Sequence, residues 1–140
     1  MGELCQVDFY LLGSPTLAPE RLACRLALMA WERGHSVTIV TGDGAEAAAM
    51  DELLWQFPDG RFIPHDRGDQ SAAPVRILER APSGSADVVI NLTSNPLGTP
   101  LHFQRLLEIV PHNKADRDAS REKFRHYRAA GLNPQAHDIN

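Results

Sequence analysis

At 140 residues the chain has the length of one ordinary domain, and folding at that size removes roughly two-thirds of the surface the unfolded chain exposes. A hydrophobic fraction of 43% and a charged fraction of 23% suit a soluble globular protein, with no apolar run to span a bilayer and no basic-then-apolar start, so no membrane association and a cytoplasmic location are expected. The formal net charge of −4 argues against a protein that coats duplex DNA by charge alone.

The elements follow in alternation. "VDFYLL" at 7–12 is short, apolar and partly aromatic, ends at Gly-Ser-Pro, and fits a buried strand. A helix follows in "LAPERLACRLALMAWERGH", with apolar positions at helical spacing, Pro19 in its first turn and Gly34 as its stop. "SVTIVTGDG" is a second strand running into a Gly-Asp-Gly turn, and "AEAAAMDELLW" is an Ala-rich helix. Beyond the Pro58-Asp59-Gly60 turn, "RFIPH" reads as a short strand limited by Pro64, and residues 66–74 as a mobile polar loop. "VRIL" and "ADVVINLT" are further strands. "LHFQRLLEIVP" fits strand or helix by pattern, with Pro111 ending it either way. "ADRDASREKFRHYRAAG" is the last helix, stopped at Gly131, and 132–140 reads as a loosely ordered tail. Strands alternating with helices over short connections predict one α/β domain spanning 1–140, with a mainly parallel sheet covered by helices.

Such a sheet invites a nucleotide, yet the glycine-rich turns do not support one. The first strand is followed by "GSPTLAPE", which lacks the glycine spacing that brings backbone amides onto a pyrophosphate. "TGDG" at 41–44 sets Asp43 where phosphate would be repelled. No histidine pairs with another or with cysteine at helical ligand spacing, and no nucleophile elbow is present, so no catalytic residue, cofactor or metal is expected. His65, between Pro64 and Asp66, reads as a turn or surface histidine. Cys5 and Cys24, far apart, read as small buried hydrophobes.

Two stretches point to binding. Between residues 112 and 131 six basic residues stand against three acidic ones, a local excess of +3 that leaves −7 for the remainder. Arg121, Phe124, Arg125 and Arg128 recur at i, i+3, i+4 and i+7 and so lie along one helical face. Guanidinium forks hold carboxylates bidentately and a ring offers an apolar shelf, which together suit an acidic, aromatic peptide. The second stretch is "MDELLWQFPDGRFIPHD", which places Trp55, Phe57 and Phe62 around the end of a helix and a turn. Core packing and a hydrophobic docking surface both explain it.

Several blocks in order, "DFYLL", "AWERGHSVTI", "DELLW" with "FIPH", "EIVP" and "REKFRHYRAAG", resemble the chi subunits of the bacterial DNA polymerase III holoenzyme, accessories of the clamp loader. The resemblance spans nearly the whole chain. It implies a Rossmann-like three-layer sandwich without a nucleotide-binding motif, and two binding tasks in DNA replication. One is to hold the psi subunit, through positions that here are Trp55 and Phe62; Phe57 has no counterpart role and fits the core. The other is to bind the acidic C-terminal tail of single-stranded-DNA-binding protein, which ends in Asp, Phe and a free carboxylate. The positions implied are Val110, Arg121, Phe124 and Arg125, and Arg128 extends the same face. Phe124 stands where tyrosine is common and lacks its hydroxyl, Arg125 stands where lysine is common, and the sequence diverges after Asn133.

The resemblance implies contact with DNA only through that protein, and a nucleoid-associated place in the bacterial cytoplasm. It leaves room for a further partner, such as a helicase, at the Trp55 surface. A nucleotide or small-molecule enzyme on the same fold and a direct nucleic-acid binder are the alternatives.

Overall fold

The computed structural model describes residues 4–56 and 61–140. In chain order the elements are β1 (Gln6–Leu12), α1 (Pro19–Glu32), β2 (Val37–Val40), α2 (Gly44–Gln56), β3 (His65–Arg67), β4 (Val75–Leu78), β5 (Ala86–Asn91), β6 (Phe103–Val110), α3 (Lys114–Ala129) and β7 (Gln135–Ile139). Every residue of β2 is buried, as a strand covered on both faces requires. The seven strands form one sheet in the order β3-β4-β2-β5-β6-β1-β7, and all six pairings are parallel.

Alternation along the strands sends side chains to two cores. On one face Leu12, Ile39, Ile77, Ile90, Leu107 and Ile109 pack with Ala23, Cys24 and Ala27 of α1 and with Ala47, Met50 and Leu54 of α2. On the other, Val7, Phe9, Val89, Leu106 and Val110 pack with Tyr127 of α3, and Phe124 closes the cluster from its edge. The result is the three-layer α/β sandwich, with two helices on one face and one on the other. Burial pushes the Cys5 thiol up to about 11 and that of Cys24 up to about 12, so both remain protonated inside these cores.

Helix α3 docks by an unusual means, because its buried residues are Ser120, Lys123 and Tyr127. Lys123 Nζ donates to Glu108 Oε1 at 2.7 Å and to the Thr93 carbonyl at 2.6 Å, while Tyr127 Oη donates to Glu108 Oε2 at 2.6 Å. Asn91 Nδ2 reaches the same carboxylate at 2.9 Å, and the Leu97 amide donates to Tyr127 Oη at 2.9 Å. Burial and then the Glu108 charge push the Tyr127 phenol upward, which keeps it a donor. Glu108, Lys123, Asn91 and Tyr127 are all at most 3% exposed, so the helix is joined to β5, β6 and the segment after β5 by a closed polar network.

Three local expectations differ from the structure, and one open choice is decided by it. The strand expected at 61–65 is absent: Pro64 has no amide to donate, and pairing starts only at His65, opposite Val75. The loop at 66–74 begins inside β3 and is anchored by Asp69, which accepts from Arg76 Nη1 at 2.9 Å and from the Ser83 amide at 3.0 Å. Residues 103–110 are a strand, resolving the ambiguity, since buried residues on both faces of β6 require a central sheet position.

The third difference lies in 132–140, where β7 takes the place of a loose tail and pairs along β1 from Asp8 opposite Gln135 to Leu12 opposite Ile139. Its sequence is almost wholly exposed, so backbone bonding and one polar anchor hold it. That anchor is Asp8, whose side chain is 3% exposed and whose Oδ1 lies 2.8 Å from His137 Nε2. Its other oxygen accepts from Arg105 Nη2 and from Gln6 Nε2, both at 3.0 Å, and the His137 ring stacks on Tyr10 at 5.4 Å. Burial alone would raise the Asp8 carboxyl, but the hydrogen bonds and charge of His137 and Arg105 outweigh it and hold the group below its ordinary value.

Two outcomes follow. Lys123→Met leaves the Glu108 carboxylate buried without its cation, and urea unfolding should register a loss of about 3–5 kcal/mol, as for other broken buried pairs. Because Asp8 is depressed in the folded state, its contribution is complete above about pH 4 and is lost as pH falls through the folded value. Stability of Asp8→Asn followed from pH 7 down to pH 2 should therefore lack that part of the acid-induced decline; an unchanged acid limb would show that Asp8 contributes no such linkage.

Candidate partner-binding surfaces

Helix α2 begins with a self-made cap. The Asp43 carboxylate accepts from the Glu46 amide at 2.9 Å, and Glu46 Oε2 reaches back to the Gly42 amide at 2.6 Å. A Cβ on Gly42 would lie 2.5 Å from that Glu46 oxygen, so a larger residue there would displace the Glu46 side chain from the cap. These two carboxylates occupy the helix start after β2, where a phosphate would otherwise approach the amides.

At its other end α2 presents Trp55, 57% exposed, against Phe62, 61% exposed, with ring centroids 5.5 Å apart. The His65 and Trp55 rings meet steeply, with centroids 4.8 Å apart. Contrary to the surface reading, the His65 side chain is fully covered, with Nδ1 2.6 Å from the Ile63 carbonyl and Nε2 3.3 Å from an Asp51 oxygen. Leu54 and Ile63 are buried within the adjoining core, and Arg61 pairs with Glu32 of α1. The pair of rings is therefore an apolar patch resting on a packed base. Phe57 and the Pro58-Asp59-Gly60 turn lie outside the described residues.

The second surface is on α3. Asn113 caps this helix, its side-chain oxygen accepting from the Asp116 amide at 2.8 Å. Beside the helix runs a groove of about 210 Å³, lined by Phe9 and Leu11 of β1, by Arg117, Ser120, Arg121 and Phe124, and by Ala136 of β7. Phe124 is half-buried, its ring 5.3 Å from that of Phe9. Arg121 is exposed and donates to Asp118 at 2.9 Å; Lys114 holds the other Asp118 oxygen at 2.7 Å. The hydrogen bond from Lys114 is the larger cause, and the Arg121 charge a smaller one, that keeps the Asp118 carboxyl below its ordinary value.

Of the residues singled out in sequence, Arg121 and Phe124 meet in this groove. Arg125 is exposed but paired with Glu122, and neither it nor the exposed Arg128 lines the groove. Val110, 2% exposed, sits in the core cluster below rather than at the surface. Sequence reasoning missed Arg117, whose Nη2 donates to the Leu12 carbonyl at 2.9 Å, although its position four before Arg121 puts it on the same helical face. It also missed Ala136, for which an exposed alanine offers no signal.

The sequence model of one family, described as DNA polymerase III chi subunit, HolC, matches residues 4–135. The chain belongs to this family. It is 38% identical over 139 residues to the DNA polymerase III subunit chi of Pseudomonas aeruginosa, an alignment covering 97% of this chain and 98% of that one. The subunits of the same name in Escherichia coli and Haemophilus influenzae are 32% and 30% identical, with 89% and 94% of this chain and 92% and 96% of theirs covered. The chain is thus an accessory subunit of a replicative polymerase. Among the described residues no helix is long and apolar enough to cross a membrane.

The exposed patch and the core differ in what truncation costs. Phe62→Ala should change stability by no more than about 0.5 kcal/mol, the usual range for a surface position. Phe9→Ala, at a site 1% exposed, should cost about 3–5 kcal/mol. Urea unfolding of both variants checks the contrast, and a large loss for Phe62→Ala would place that ring in the core.

Proposed function

We propose that this polymerase III subunit is an adaptor without catalysis of its own. In this reading the Trp55–Phe62 patch holds the psi subunit and so the clamp loader, while the α3 groove takes the acidic C-terminal tail of single-stranded-DNA-binding protein. The observation that carries it is the separation of the two surfaces. Trp55 and Phe62 stand beside β3 at one edge of the sheet, and the groove lies along β1 and β7 at the opposite edge and on the opposite face. Six strand spacings of about 4.8 Å set those edges roughly 29 Å apart, enough for two proteins to bind without collision.

The chemistry suits both partners. Two exposed rings on a packed base supply a large apolar area at low entropic cost. In the groove, Arg117 and Arg121 would receive carboxylates of the tail, and Phe9, Leu11 and Phe124 would form the apolar wall for its terminal phenylalanine. Val110 supports that wall from within the core, and Arg125 and Arg128 add to the field that draws in an acidic chain. The helicase named above as a further partner would compete with psi for the Trp55 patch.

Calorimetry tests the assignment. Replacing both Trp55 and Phe62 with alanine should abolish psi binding while cooperative unfolding and tail binding persist; normal psi binding would remove these rings from the interface. Arg121→Ala should weaken tail-peptide binding by about tenfold or more, through loss of a charge-assisted bond worth about 1.5–3 kcal/mol, and leave psi binding unchanged. Because Asp118 competes for the Arg121 guanidinium, Asp118→Asn should instead tighten the tail peptide several-fold at low salt, and weaker binding would show that Asp118 positions the arginine rather than competing with the peptide.

A further inference from the structure

Apart from Trp55 and Phe62, the exposed large hydrophobics among the described residues are Leu4 and Met29. Met29, 44% exposed, stands at the rim of a cleft of about 310 Å³ between α1 and the sheet, on the face away from α3. Leu26 and Leu107 give this cleft apolar walls, and Arg33, His35 and Arg105 line it with nitrogen donors. No aspartate or glutamate lines it. Its volume lies at the lower end of the roughly 300–1,000 Å³ typical of small-ligand sites.

The charges select the ligand. Arg105 directs Nε and Nη2 to Asp8, at 3.3 and 3.0 Å, so its charge is balanced, while its Nη1 has no partner among the described residues. Arg33 forms the cap after α1 through its backbone amide, and its side chain makes no ion pair or hydrogen bond with a described residue. The cleft therefore carries about one unbalanced positive charge beside an apolar wall when His35 is neutral. A monoanion with an apolar body matches that balance; a dianion such as phosphate exceeds it and has no use for Leu26, Met29 and Leu107. The flexible thioether of Met29 suits a rim that adapts to its occupant.

We propose that this cleft binds a small organic carboxylate, with its apolar body between Met29 and Leu107 and its carboxylate on Arg33 and the free edge of Arg105. The site is separate from both protein-binding surfaces and does not depend on their assignment. The full-length chain, labelled with nitrogen-15, is titrated with octanoate below its micellar range and, in parallel, with octanamide, which keeps the apolar body and removes the charge. Octanoate should shift saturably the amides of Met29 to His35 and of Gln104 to Leu107. Binding should be about tenfold weaker for octanamide, and about tenfold weaker for octanoate to Arg33→Gln, an exposed substitution that leaves the fold intact.

Equal affinity for acid and amide would reduce the cleft to a non-specific apolar sink and overturn the proposal. So would an absence of shifts, or shifts confined to the Phe124 groove. Sedimentation of the unliganded chain completes the test, since a dimer dissolved by Met29→Glu would assign the cleft to a second copy.

Discussion

The placement of α3 rests on one buried ion pair. Charged residues dominate its sequence, and the residues it buries include a serine and a lysine, so apolar area alone gives it little reason to choose one rotation over another. Glu108, 0% exposed on a central strand, supplies the reason. A carboxylate at that depth is tolerable only when its oxygens are filled, and Lys123 and Tyr127 fill them from one face of the helix. Turning α3 by one residue would leave the acid uncompensated. With that rotation chosen, Arg117, Arg121 and Phe124 have to lie beside Phe9 and Leu11, and the groove is a consequence of the pair.

Periodicity carried most of the architecture, and its failures have identifiable causes. The apolar runs of β1, β2 and β5 and the helical spacing of α1 were legible because burial on a parallel sheet demands them. β7 was illegible because its side chains take almost no part in holding it: a parallel ladder to β1 and the Asp8–His137 contact do so, and neither leaves a hydrophobic pattern. The aromatic patch was visible as composition, but whether Trp55 faced the core or the solvent depended on how the segment after α2 returns to the sheet. In α3 the i, i+3, i+4, i+7 rule put Arg121 and Phe124 on one face, and both line the groove. It could not tell that Lys123, one of the six basic residues counted between 112 and 131, is the anchor, since the acid that pairs with it is on another element.

The end of β2 shows how an α/β scaffold can fill its own anion position. Helix starts above parallel strands attract anions, and here the chain supplies its own in Asp43 and Glu46. The features that stand out for recognition are instead at the two edges of the sheet, where helix ends and half-buried rings face outward.

The position of β1 within the sheet has a kinetic meaning. Its neighbours are β6 and β7, so Asp8 meets Arg105 across 97 residues of sequence and His137 across 129. On a ribosome this strand emerges long before either partner exists, and Val7, Phe9 and Leu12 stay without their sheet neighbours until β6 and β7 have been made. Closing such long loops is slow and leaves apolar strand surface open to capture by chaperones or by other chains. Phe9 and Leu11 on β1 and Ala136 on β7 also wall the groove, so the groove exists only once β1 and β7 have paired. A chain caught half-folded therefore lacks that groove altogether.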